Sequence, residues 1–129
     1  MDSFDARWAG SASSRLKGSF AAGLEATSQA CDGRAPALLV VFASDDHDLD
    51  ELGRGVLEAA PDAPVVGCTT AGEITGVEAG STGLVVFALG GTGFSIATAA
   101  SPEASADLRA AGADAAREAL AGCTGRHKA

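Results

Sequence analysis

An unbroken apolar run at residues 37–43 constrains the fold of this chain more than any other segment. A strand with one solvated face alternates apolar and polar residues, whereas a strand covered on both faces, as in a parallel sheet, does not. A polar loop at 44–48 follows, then the apolar spacing of a helix over 49–57, then a second apolar run. Residues 37–43 are therefore predicted to be covered on both faces. Strand–helix–strand units are right-handed and parallel, so 37–43 and the buried strand at 65–68 are predicted to be parallel neighbours.

The rest of the chain predicts one α/β domain at 1–129. Before residue 37 we expect a short opening strand at 6–11 and a helix that runs from an N-cap at Ser13 or Ser14 to Asp32 and Gly33. After residue 68 we expect a short strand at 73–78, a turn at 80–82 and a buried strand at 83–89. A hairpin through 90–93 leads into a strand at 94–100, and a last helix runs from Ser101 to Gly122. The expected fold is therefore a mixed, partly parallel sheet with flanking helices. In it a βαβ unit precedes a β-hairpin and a C-terminal helix, and 124–129 form a loose tail.

Charge and composition exclude several classes of function. The formal net charge is −8, which argues against nucleic acid or an anionic membrane as a partner. No apolar stretch approaches the roughly 20 residues of a membrane helix. The N-terminus carries acid where a signal peptide carries base. Three widely spaced cysteines without a CxxC pair favour neither a zinc site nor a disulfide framework, so we expect a reduced, cytoplasmic protein.

The candidate binding residues follow the two predicted parallel strands, whose carboxyl ends meet at one edge of the sheet. They are Ser44, Asp45, Gly67, Cys68, Thr69, Thr70, Gly72 and Glu73. Backbone N–H groups and threonine hydroxyls here would hold a carboxylate, and the carboxylate of Glu73 would pair with an ammonium group. The alternative is a turn whose hydroxyls bond their own backbone.

No residue is predicted to be catalytic or to bind a metal. Cys68 has no histidine near it in sequence, so a small buried cysteine is favoured over a nucleophile. The acids and the histidine of the 44–48 loop lack further metal ligands, so a solvated loop leading into an Asp48 helix cap is favoured.

The run Gly-Cys-Thr-Thr-Ala-Gly-Glu-Ile at 67–74, with the strands predicted at 39–44, 83–89 and 94–100, resembles the N-terminal half of the FIST domain family. The resemblance implies a bacterial sensory input domain that binds small ligands, amino acids among them, and acts with a signalling output domain. It also implies that haem is possible, since some members sense nitric oxide through haem, and His47 is the only internal candidate for a haem ligand. Family proteins continue into a C-terminal half, so an incomplete domain with part of its ligand cleft missing is expected.

Three classes of function follow from these expectations. The first is a small-ligand sensory domain without catalysis of its own. The second is an α/β enzyme that uses Cys68 together with the 44–48 loop. The third is an interaction module that pairs with a separate C-terminal half.

Overall fold

A computed structural model describes residues 6–70, 73–74, 79–80 and 83–124, and for 73–74 and 79–80 it describes the backbone alone. The elements are β1 (Trp8–Ser14), α1 (Ser19–Cys31), β2 (Pro36–Ser44), α2 (Leu49–Ala59), β3 (Val65–Thr70), β4 (Glu73–Ile74), β5 (Ala79–Gly80), β6 (Leu84–Gly90), a 3₁₀ turn (Ala104–Ala106) and α3 (Leu108–Gly122). The chain divides into two compact units, Met1–Thr92 and Gly93–Ala129. None of the described helices is both long and apolar enough to cross a membrane.

The first unit contains a four-stranded mixed sheet with the strand order β1-β6-β2-β3. β2 and β3 run parallel, with Leu39 opposite Val65 and Ser44 opposite Thr70. β6 runs antiparallel to both β2 and β1. The predicted α/β class and the predicted parallel pair are therefore confirmed.

The predicted hairpin at 90–93 is wrong. Residues 94–100, all of which the structure describes, form no strand. β6 is already bonded on both sides, to β1 and to β2, so it has no free edge for a third strand. Of the short strand predicted at 73–78, residues Glu73–Ile74 form β4, which pairs with β5 so that Glu73 lies opposite Gly80. Residues 75–78 and 81–82 lie outside the described residues.

The two helices of the first unit pack closely together. A Cβ atom on Gly23 of α1 would overlap the carbonyl oxygen of Leu52, and one on Gly55 of α2 would overlap that of Phe20. Glycine at both positions lets the two backbones approach. The core on this side of the sheet contains the fully buried side chains of Leu39, Val56, Leu84 and Val86. Burying each such side chain contributes about 1.5–3 kcal/mol.

Two helix starts differ from the prediction. α1 begins at Ser19 with Gly18 as its N-cap, because β1 continues to Ser14, which pairs with Leu84. α3 begins after Asp107, whose carboxylate accepts a hydrogen bond from the Ala110 N–H, and not at Ser101. The predicted Asp48 cap of α2 is confirmed, since its Oδ1 accepts from the N–H groups of Asp50 and Glu51.

The second face of the sheet is less covered than predicted. Phe42 of β2 is 39% exposed and Phe87 of β6 is 38% exposed, while their neighbours on the helix-covered face are buried. The apolar run at 37–43 therefore does not have both faces covered within the described residues. α1 and α2 shield only the face that carries Leu39 and Leu84.

Candidate functional site

The structure brings the two predicted loops to one edge of the sheet. Ser44 lies opposite Thr70, and Ala43 lies opposite Thr69, at the carboxyl ends of the parallel pair. Ser44 is fully buried, whereas Asp45 is exposed. Of the other predicted residues, Gly72 lies outside the described residues. Glu73 is described only as the backbone of β4.

A cavity of about 230 Å³ lies between α2 and β3, and we call it the α2–β3 groove. It is lined by Val41, Ala43, Leu49, Leu52, Gly53, Val56, Val65, Val66, Gly67, Cys68 and Thr69. Three of the predicted site residues, Gly67, Cys68 and Thr69, are in this set. Ser44, Asp45 and Thr70 are not, so the predicted site divides between the groove and the nearby loop.

The walls of the groove are almost entirely apolar, and the Thr69 hydroxyl is the one side-chain hydroxyl in its lining. The groove opens outward because β3 is the edge strand: Val65 is 40% exposed and Leu49 of α2 is 56% exposed. A Cβ atom on Gly67 would overlap the carbonyl oxygen of Val41. This close approach of the two strands explains why glycine stands in the middle of β3.

The predicted burial of Cys68 is wrong, because the Cys68 side chain is exposed. Cys68 lies opposite Phe42 in the parallel register, and the Phe42 side chain is itself exposed. Cys68 and Val66 lie on the same face of the sheet as Phe42, the face that α1 and α2 do not cover, so both side chains stay accessible.

The predicted solvated loop at 44–48 is partly buried, and it is held by a residue that the sequence did not single out. His47 is only 7% exposed. Its Nδ1 lies 3.0 Å from Ser19 Oγ, which also accepts a hydrogen bond of 2.9 Å from the Asp48 N–H. His47 Nε2 is buried without a hydrogen-bond partner among the described residues. Because the helix was predicted to start at Ser13 or Ser14, Ser19 was not recognised as the first residue of α1.

The surroundings of α2 are acidic. Residues 45–62 contain seven carboxylates and one arginine: Asp45, Asp46, Asp48, Asp50, Glu51, Glu58 and Asp62, with Arg54. Arg54 forms an ion pair with Glu51, one turn earlier in the helix. This excess of negative charge beside the groove favours a bound group that carries positive charge.

A second cavity, of about 490 Å³, lies where α1 and α2 end, near the start of β2. The Arg34 guanidinium lies 3.9 Å from the centre of the Trp8 ring, and its Nε donates a 3.0 Å hydrogen bond to the Cys31 carbonyl. Burial raises the pKa of the Cys31 thiol, and the positive charge of Arg34 opposes this effect. Cys31 is therefore a protonated packing residue at neutral pH, not a thiolate nucleophile.

His47, the internal candidate for a haem ligand, lines neither of the two cavities described above. His47 is buried against Ser19 instead. Within the described ranges no group of three or more histidine, cysteine, aspartate or glutamate side chains could hold a metal ion.

Comparison with known proteins supports the resemblance found in the sequence. No curated protein matches the chain. A family model, the FIST N domain, matches residues 37–129. The match starts in β2 and extends to the end of the chain, so it includes both walls of the α2–β3 groove. It covers well over half of the 129 residues, and the chain therefore belongs to the FIST N domain family, a family of sensory domains in signalling proteins.

Proposed function

We propose that this chain is a sensory input domain whose small ligand binds in the α2–β3 groove. One observation carries the proposal: predicted binding residues from β3 line the same cavity as apolar residues from α2. Small-ligand sites are usually concave and apolar, with a few polar groups that orient the ligand. The groove has this composition, and it lies in the part of the chain that matches the family.

The groove favours a ligand with an apolar body, a hydrogen-bonding end and a positive charge. Leu49, Leu52 and Val56 would contact the apolar body, and the hydroxyl of Thr69 would bond a polar end. The carboxylates around α2 would attract an ammonium group. An apolar amino acid combines these three properties, so it is the ligand class that we propose. A signalling output domain or a C-terminal half of the family would receive the response.

Thermal-shift measurements with free amino acids test this proposal. Gly53 lines the groove, and a Cβ atom added there meets open space. The variant Gly53→Leu should therefore fill the groove without a backbone clash. Gly112 of α3 also has open space around it, so Gly112→Leu is a matched control. Both substitutions raise helix propensity by a similar amount, about 0.8–1 kcal/mol.

A ligand at a hundredfold excess over Kd should stabilise the fold by about 2.7 kcal/mol. At least one apolar amino acid should raise the Tm of the unsubstituted chain and of Gly112→Leu, but not that of Gly53→Leu. If no amino acid changes the Tm, the proposed ligand class is wrong. If Gly53→Leu responds as fully as the control, the ligand binds elsewhere.

A further inference from the structure

We propose that the outer edge of β3 is a docking site for an extended segment of a partner protein. That segment would contain β-branched apolar residues with lysine or arginine at its ends. It would pair with β3 as an additional strand of the sheet. The proposal goes beyond ligand sensing, since strand pairing needs no ligand in the groove.

The backbone of β3 has its unused hydrogen-bonding groups on the outer side. The Leu39 N–H donates a 2.9 Å hydrogen bond to the carbonyl of Pro64, and Leu39 lies opposite Val65. In a parallel ladder, alternate residues of one strand bond to the same neighbour. Val65, Gly67 and Thr69 therefore direct their N–H and C=O groups away from β2. No strand lies on that side of β3 in the described part of the chain.

The edge lacks the features that normally prevent strand pairing. Soluble proteins protect exposed edges with lysine, proline, bulges or very short strands. β3 has six residues, Val-Val-Gly-Cys-Thr-Thr, without charge or proline, and its register with β2 is continuous. The exposed side chains of Val65 and Val66 add apolar surface on both faces of the strand. An exposed apolar edge of this kind marks an interaction site.

Charge selects a basic partner over a second copy of this chain. Acidic residues lie close to both ends of β3, since Asp62 comes shortly before Val65 in the chain and Asp45 directly follows Ser44, which lies opposite Thr70; the chain also carries a net charge of −8. Pairing two β3 edges would bring two such acidic surfaces together, which is repulsive. A segment with basic ends would meet attraction instead. The opposite edge strand, β1, is bounded by Arg7 and Arg15, so it would repel the same segment.

A peptide titration tests the proposal on the whole chain. The probe is Lys-Val-Thr-Val-Thr-Val-Lys, acetylated and amidated, added to ¹⁵N-labelled protein while amide chemical shifts are recorded. One control peptide carries N-methyl groups on alternate amides, which removes its hydrogen-bond donors along one edge. A second control has glutamate in place of lysine. The matched protein variants are Asp62→Asn, close to the start of β3, and Glu25→Gln in α1, a helix that packs on β1, β6 and α2.

The lysine peptide should shift the amides of Val65, Gly67 and Thr69, and the effect should weaken as salt is added. N-methylation should weaken binding at least about tenfold, because roughly three hydrogen bonds of 0.5–1.5 kcal/mol are lost. Asp62→Asn should weaken binding by about 1.5- to 5-fold and Glu25→Gln should not.

Four results would overturn the proposal. The first is no binding of the lysine peptide, and the second is equal binding of the N-methylated or the glutamate peptide. The third is a response confined to β1. The fourth is self-association of the protein through β3 in the absence of peptide, which would make a second copy the occupant.

Discussion

Ser19 is the residue at which the structure makes its most specific stability prediction, because its Oγ connects α1 to the β2–α2 loop. Ser19 Oγ lies 3.0 Å from His47 Nδ1 and accepts the 2.9 Å hydrogen bond of the Asp48 N–H. The donor in the Ser19–His47 bond depends on the imidazole tautomer. In either tautomer, Ser19→Ala leaves the buried ring with no partner at Nδ1, and Nε2 already has none among the described residues.

The expected loss of stability follows from these contacts. An unsatisfied buried polar atom costs about 1–3 kcal/mol, whereas water can replace Ser19 at the exposed Asp48 N–H for less. We expect Ser19→Ala to lower the free energy of unfolding by about 2 kcal/mol. For a chain of this size, this corresponds to a Tm decrease of roughly 6–10 °C.

The assay is urea unfolding of Ser19→Ala beside Ser28→Ala. Ser28 is an exposed residue of the same helix, so the control corrects for the serine-to-alanine change in helix propensity. In a double-mutant cycle, the Ser19→Ala, His47→Leu double variant should lose less stability than the sum of the two single variants. If Ser19→Ala is as stable as Ser28→Ala, the Ser19–His47 contact does not hold the loop.

Two further predictions concern buried groups of α1. Because the pKa of the Cys31 thiol is raised in the folded chain, the unfolded chain loses this proton at a lower pH, near the ordinary pKa of 9.0. The free energy of unfolding should therefore fall as pH rises above 9.0. Cys31→Ala should show a smaller decrease in Tm between pH 8 and 10 than the unsubstituted chain. Thr27 is fully buried, and its Oγ1 has no hydrogen-bond partner among the described residues. Thr27→Val should therefore raise the urea midpoint by the equivalent of about 1 kcal/mol, whereas the control Thr27→Ser keeps the hydroxyl and should not raise it. If Thr27→Val is less stable than the unsubstituted chain, the Thr27 hydroxyl has a hydrogen-bond partner in solution.

Local patterns were sufficient for the elements on which the site is built. The apolar run at 37–43 and the Asp48 cap predicted β2 and α2 because strand burial and helix capping depend on neighbouring residues. The parallel pairing of β2 with β3 followed from the handedness of the crossover. The same reasoning placed the loops after Ser44 and Thr69 at one edge.

The misplaced elements depended on contacts between distant segments. The hairpin at 90–93 looked favourable because glycines joined two apolar stretches, but β1 occupies that side of β6. The start of α1 moved to Ser19 for the same reason, since residues to Ser14 belong to β1. β1 and β6 are some 75 residues apart in the chain, so their pairing cannot be predicted from the residues next to either strand.

The sequence by itself determined the α/β class, the parallel pair and the family to which the chain belongs, because periodicity, capping and a local motif carry that information. Only the tertiary structure showed that β3 is the edge strand. That position opens the groove beside Thr69 and leaves backbone groups of β3 facing outward, while the uncovered face of the sheet exposes Cys68. The position of a strand in a sheet depends on the pairing of all the other strands, so an apolar strand predicted to be buried can lie at the edge.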